Sequence, residues 1–146
     1  MPITTTRPAR PEDSEFAYQV KRAALGPYVV QLWGWDDAQQ REQHVRRFAT
    51  HEVEIIECDG RDVGVIVAAR HSHELLLHQL FILPAYQGSG IGAACLARML
   101  DEARSAAIPI RLQVLQVNTR AQTFYERLGF DRVRETDTHV LMEKLP

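Results

Sequence analysis

The chain is poor in cysteine. Cys58 and Cys95 are its two, and neither belongs to a paired Cys motif. That excludes a disulfide framework and a cysteine-built zinc site, and leaves two small core residues of a reducing compartment as the expectation. Long hydrophobic runs are also missing: "LLLHQLFIL" is interrupted and much too short to span a bilayer. No block of like charge stands out in a chain of net charge −2, so nothing favours nucleic acid or a membrane surface as a partner. The opening "MPITTTRPARPEDSEF" has no apolar stretch of the secretory kind, and a cytoplasmic location is the default expectation. The one histidine cluster, "HSH" at 71–73, falls at an expected turn without further ligands at suitable spacing, so no metal is expected. There is no internal repeat, low-complexity segment or linker.

What is present is an ordinary globular composition, 45% hydrophobic and 25% charged over 146 residues, enough for one domain, residues 1–146, around one core. "ITTT" (3–6) reads as a first strand. Phe16, Val20, Ala23 and Ala24 recur at helical spacing, and "GP" at 26–27 is expected to stop that helix. "YVVQLWGW" (28–35) then reads as an irregular connection. Asp36 can cap a second helix over 37–49, with Val45, Phe48 and Ala49 inward. "EVEIIEC" and "DVGVIVAA" alternate as strands around the hairpin turn "DG" (59–60). "ELLLHQLFIL" (74–83) is a further strand, ended by Pro84. Gly92, Cys95, Leu96, Met99, Leu100 and Ala103 mark one face of a helix. "IPIRLQVLQV" (108–117) is a strand, Asn118 caps a short helix closed by Gly129, and "DRVRET" and "THVLMEKL" end the chain as two strands. The order βααβββαβαββ is that of an α+β or mixed α/β domain built on one sheet.

The feature that asks for an explanation is "YQGSGIGAA" (86–94), between a strand and a helix. Strand, glycines and helix N-terminus together suggest a bound anion, because the first N–H groups of a helix lack intrahelical partners and the dipole is positive there. "GSGIGA" satisfies the dinucleotide fingerprint G-x-G-x-x-G/A. Its context does not: Pro84–Gln87 separate the strand from the glycines, and the next strand ends in "QVN" without the acid that holds a ribose. A triphosphate loop fails because no Gly-Lys-Ser/Thr follows. A third reading takes in Gln87 and gives Q-x-x-G-x-G over Gln87–Gly92.

With "FILPAYQGSGIG" ahead of a helix and "NTRAQTFYERLGF" about thirty residues later, the chain resembles the GNAT family of acetyl-CoA-dependent N-acetyltransferases. The likeness runs from Ile3 to Leu145, and the front section, "VKRAAL…WGWD", looks like that of uncharacterised bacterial members. It implies a mixed, mostly antiparallel sheet of about seven strands with the fourth and fifth splayed apart, flanked by about four helices.

The resemblance also implies roles. Backbone N–H groups from Gln87 through Gly88, Ser89, Gly90, Ile91 and Gly92 would line the coenzyme A pyrophosphate. Phe81 and especially Ile82 would offer backbone to the peptide-like pantetheine arm by strand addition, and an N–H near Ile82 would polarise the thioester carbonyl. Asn118 would bond the same arm besides capping its helix. Tyr125 falls where many members place the acid for the departing thiolate. Alternation puts Glu74, Leu76, His78, Leu80 and Ile82 on one face of the fourth strand, with His78 as the base and Glu74 acting through a water chain. Tyr28, Trp33 and Trp35 would wall the acceptor pocket, and Asp36 or Asp37 would pair with an amine; alternatively the tryptophans anchor a loop and Asp36 only caps.

The reaction implied is direct attack of a primary amine, on a small molecule or a peptide, on acetyl-CoA in a ternary complex, without metal. Members are often dimers, so a homodimer is an expectation. Two other classes stay open: a non-catalytic acyl-CoA-binding module, and a nicotinamide-dependent oxidoreductase.

Overall fold

A computed structural model describes residues 3–146. Its order is β1 (Thr4–Pro8), α1 (Ser14–Trp33), α2 (Asp37–Thr50), β2 (Val53–Cys58), β3 (Arg61–Arg70), β4 (Leu75–Ile82), α3 (Ile91–Ala106), β5 (Ile110–Leu115), α4 (Thr119–Arg127), β6 (Asp131–Glu135) and β7 (His139–Lys144). The seven strands follow the order β1-β2-β3-β4-β5-β7-β6. They form a mixed open sheet, with β4 and β5 parallel and the pairs β1–β2, β2–β3, β5–β7 and β6–β7 antiparallel. The chain groups into two units, one made of the segment up to Ala68 with Gln79–Cys95, the other of Ala69–His78 with Leu96–Pro146.

In the first unit β1 pairs with β2, Thr4 opposite Cys58 and Pro8 opposite Glu54. Asp59 and Gly60 join β2 to β3 with φ of 51° and 80°, both left-handed as a two-residue hairpin turn requires. Every residue from Val63 to Val67 is buried, so β3 is covered on both faces. Ile55 and Val65 pack with Ala17 and Val20 of α1, and Phe48, Phe81 and Leu83 join that cluster. Asp13 starts α1. It accepts from Arg7 at 2.8 Å and from the N–H of Arg10 at 2.7 Å, and the Arg7 guanidinium, with that N–H, holds its carboxyl down at about 2.

Two expectations are corrected here. Gly26-Pro27 does not stop α1, which continues to Trp33 and ends at Gly34 with φ +76°. Proline removes one helical bond and crowds the carbonyl four residues back, but that residue, Ala23, is exposed, so water can serve its carbonyl. Packing on the far side holds the helix together: Val29 is buried, and the Trp35 ring folds back to within 3.8 Å of the Cβ position at Gly26. The connection between the helices is therefore only Gly34–Asp36. In α2, Val45 is 59% exposed and Ala49 also faces solvent; only Phe48 of the expected inner residues reaches the core. The inward stripe of α2 is polar, at Asp37, Arg41 and His44.

In the second unit β5 pairs with β7 from Ile110–Lys144 to Leu115–His139, and β6 pairs with β7 on the other side. The parallel ladder of β4 with β5 covers three pairs, Leu75–Leu77 against Ile110–Leu112, although β4 runs on to Ile82 and β5 to Leu115. Asn118 caps α4 by accepting from the N–H of Ala121 at 3.1 Å. Gly129, φ +96°, closes it: its N–H reaches the Glu126 carbonyl and that of Phe130 the Tyr125 carbonyl, both at 3.0 Å, which is the double bond of a left-handed helix stop.

Candidate acyl-donor and acceptor site

In the first unit the end of β4 and the glycine loop are locked together. Leu83 donates to the Val63 carbonyl of β3 at 2.9 Å. The Phe81 carbonyl lies 2.5 Å from where a Cβ on Gly64 of β3 would sit; only glycine permits that approach. Both groups face β3. Strand alternation therefore turns the N–H and C=O of Ile82, between them, away from β3. The Ile82 carbonyl is taken by the Gln87 side-chain amide at 2.9 Å, which leaves the Ile82 N–H as the donor on that side. Of the two expected backbone partners, Ile82 turns its N–H away from β3, while the Phe81 carbonyl is directed at β3 and its ring packs against the core cluster.

The loop then turns twice. Tyr86 and Gln87 donate to the carbonyls of Leu83 and Pro84 at 2.8 and 3.2 Å, and the Ser89 hydroxyl donates to the Tyr86 carbonyl at 2.7 Å. Gly88 and Gly90 have φ of 77° and 85°. Ala94 makes the first helical bond of α3, to Gly90, so the N–H groups of Ile91, Gly92 and Ala93 have no partner within the helix. A Cβ on Gly90 would meet nothing within 4 Å. The result is an open, lysine-free stretch of backbone N–H groups at a helix N-terminus, a chemistry suited to a pyrophosphate. Gln87 departs from expectation: its backbone N–H is bonded to Pro84 and its side chain to Ile82, so it braces the loop and does not line the cradle.

The residues expected to face an acceptor fall into different structural roles. Tyr28 is half-buried on α1 and Trp33 is 59% exposed at the helix end. Trp35 turns inward and donates to the Tyr18 hydroxyl at 3.2 Å and to Asp37 at 3.4 Å. Asp36 caps α2 by accepting from the N–H of Gln39 at 3.1 Å. Around Trp35 lies a network that hydrophobic periodicity does not reveal. Tyr18, 1% exposed, donates to Asp37. Arg41 bonds Asp37 at 2.9 Å and Glu15 at 2.8 Å, with its guanidinium 4.3 Å from the centre of the Tyr18 ring. The Tyr18 hydroxyl, then Arg41, hold the Asp37 carboxyl at about 2, while burial chiefly raises the Tyr18 phenol. His44 bonds the Ser14 carbonyl at 2.8 Å, and burial lowers its pKa. The only available signal was polar residues at helical spacing, 37, 41 and 44 against 15 and 18.

In the second unit Tyr125 is 6% exposed, edge-on to Phe124 and Phe130 at 5.1 and 5.5 Å between ring centres, and burial raises its phenol above the ordinary value. Asn118 uses its oxygen for the cap and keeps an NH2 group to donate. Gln122, missed from the sequence, is 3% exposed and ties α4 to the end of β5 through the Leu115 and Gln116 carbonyls at 3.1 and 2.9 Å. Glu74 stands just before β4 and pairs with Arg111 at 3.0 Å; Arg111 also holds Glu143 at 2.9 Å. His78 is exposed on β4, beside the buried Leu77. Among the described residues no three His, Cys, Asp or Glu side chains are grouped to hold a metal, and no helix is long and apolar enough to cross a membrane.

Comparison with known proteins bears on this arrangement. Residues 41–132 match the family described as acetyltransferase (GNAT) domain. An uncharacterised N-acetyltransferase of Mycobacterium tuberculosis is 39% identical over 74 residues, which cover 49% of this chain and 47% of that protein; the alignment thus spans about half the length of that relative. Spermidine N(1)-acetyltransferase of Escherichia coli K12 is 28% identical over 137 residues, 85% of this chain and 70% of that one. The crystal structure of the PaiA N-acetyltransferase from Thermoplasma acidophilum in complex with coenzyme A superposes with a TM-score of 0.79 at 18% identity, over 99% of both chains, and so shares the fold. With the family match covering well over half of its length, the chain belongs to the GNAT acetyltransferase domain family.

Proposed function

We propose that the chain is an acetyl-CoA-dependent N-acetyltransferase, a single catalytic domain that moves the acetyl group to a primary amine by direct attack. The observation that carries this reading is the cradle of Gly88, Ser89, Gly90, Ile91 and Gly92 ahead of α3, joined by Gln87 to an Ile82 whose N–H faces away from β3. The N–H groups of the cradle hold the pyrophosphate, and Ile82 pairs with the pantetheine arm or donates to the thioester oxygen. Asn118 offers its NH2 group to the same arm.

In the reaction the amine nitrogen bonds to the thioester carbon, and the carbonyl oxygen takes the negative charge that the Ile82 N–H stabilises. Collapse breaks the carbon–sulfur bond, and the departing thiolate takes the Tyr125 proton. A phenol already carries its proton at neutral pH, and burial raises Tyr125 further, so the proton is in place when the thiolate departs. The proton lost by the amine goes to His78, directly or through water. Glu74 is the weaker candidate, since its carboxylate is paired with Arg111. Tyr28 and the exposed Trp33 offer an apolar wall to the acceptor. Trp35 is held by Tyr18 and Asp37 against Gly26, and Asp36 acts as a cap.

Release of the coenzyme A thiol from acetyl-CoA, measured across a panel of amines, tests the reading. Tight coenzyme A binding with no thiol release for any amine would sink it in favour of a non-catalytic acyl-CoA-binding module. Thermal stabilisation by NADH and not by coenzyme A would favour an oxidoreductase instead.

A further inference from the structure

Lys21 and Lys144 are the only lysines of a chain with fifteen arginines. Lys21, on α1, is 6% exposed. A buried ammonium normally stands against a carboxylate, because its lost hydration must be replaced. The carboxylates of this layer are engaged elsewhere: Glu15 with Arg41 and Gln19, Asp37 with Tyr18, Arg41 and Trp35, Asp13 with Arg7. Among the described residues Lys21 makes no hydrogen bond or ion pair, and no unpartnered side-chain nitrogen is sealed from solvent. Its Nζ therefore keeps a small contact with solvent while its stem lies buried.

The surroundings are electropositive. From α2, Arg47 acts on Lys21 as a cation, and His44, whose pKa burial lowers, adds charge only when protonated. From the sheet, β2 and β3 present the uncharged Ile55 and Val65. Location matters as well. Ala17 and Val20, on the same turn of α1, belong to the cluster that Phe81 and Leu83 join. Lys21 thus stands on the helix that covers the end of β4, the place assigned above to the thioester.

Resting on the acetyltransferase reading, we infer that Lys21, supported by Arg47, binds an anionic group on the acceptor, so that the preferred acceptor is an amine that also carries a carboxylate. With Asp36 and Asp37 both engaged, this end of the site favours an amino acid or a peptide with a nearby acid over a polyamine.

The test uses the whole chain with [ε-13C]lysine, which gives two resonances and makes Lys144 an internal control. Free α-amino acids are titrated against their C-terminal amides, and O-phosphoethanolamine against ethanolamine separates a phosphate from a carboxylate source. The expected result is that Lys21 titrates near pH 8 alone, moves upward with the free acids, and stays in place with the amides while Lys144 does not respond. In kinetics, Lys21→Met raises KM for the free acid at least tenfold more than for the amide, and Lys21→Arg restores part of the difference. A Lys21 signal indifferent to every carboxylate, a response to phosphate alone, or an equal loss for acid and amide would each overturn the proposal. A Lys21 response to free acids without thiol release would leave the anion site standing and defeat the acetyltransferase reading instead.

Discussion

The Gln87 side-chain amide donates to the Ile82 carbonyl at 2.9 Å, and so ties the anion loop to the last residue of β4. The residue that completes the loop's sequence motif is therefore a brace, which holds the glycine loop and the end of β4 in one register. Gln87→Met keeps the side-chain length and removes the donor. It is expected to raise KM for acetyl-CoA roughly tenfold, the worth of one bond of about 1–1.5 kcal/mol. The distinguishing measurement uses acetyl-pantetheine, which lacks the pyrophosphate. A brace predicts that the loss persists with this donor; a direct pyrophosphate ligand predicts that it disappears.

Two glycines separate stability from binding. At Gly64 an added Cβ would stand 2.5 Å from the Phe81 carbonyl and 3.0 Å from Ile82 Cδ1. Gly64→Ala should push β4 off β3 and lower unfolding stability by about 1–3 kcal/mol, read from the denaturant midpoint. Gly90→Ala meets no atom, but at φ +85° it strains the backbone, by roughly 1–2 kcal/mol, and places a methyl group near the anion. Calorimetry should show a loss of coenzyme A affinity for Gly90→Ala well beyond that of Gly64→Ala. Equal effects on affinity would mean that the Gly90 turn does not hold the coenzyme.

What was legible in the sequence depended on chemistry within three or four residues. The Asp59-Gly60 turn, the Asp36 and Asn118 caps, the Gly129 stop and the glycine loop each carry their signal locally, and the order of elements followed from them. The misreadings arose where distant packing overrides a local preference. Pro27 reads as a stop until Val29 and the returning Trp35 are seen to support the helix beyond it. The polar stripe of α2 is silent in a hydrophobic pattern. Glu74 looks available until Arg111, 37 residues away, is beside it. The burial of Lys21 has no signal in the residues near it.

Burial of Lys21 has a consequence for stability that can be read against pH. Its pKa is lowered to about 8 from 10.5, first by burial and then by Arg47. Between those values the unfolded chain binds more protons than the folded one, so stability rises with pH there, and below pH 8 the full penalty of the cation is present. Lys21→Met should therefore stabilise the protein at pH 7 by about 1–3 kcal/mol, with the gain shrinking as pH rises from 8 toward 10.5. Thermal melts of both proteins across pH 6–10 check this. A destabilised variant at pH 7 would mean that the ammonium is held by favourable contacts in the folded protein.

Tyr125 lends itself to a similar test by pH. An acid that protonates the thiolate must carry its proton, and burial between Phe124 and Phe130 moves the loss of that proton above the ordinary value near 10. The rate should then stay level on the alkaline side through pH 10, where an exposed phenol would already be titrating. Tyr125→Phe removes the hydroxyl and keeps the ring contacts. It should leave the melting temperature within a few degrees of the parent and lower kcat on the order of 10²-fold, with KM for acetyl-CoA little changed. Comparing acetyl-CoA with an acetyl ester of a more acidic thiol sharpens the assignment, because a better leaving group needs less protonation. The defect should narrow with that donor, and a defect that stays constant would indicate a role in packing.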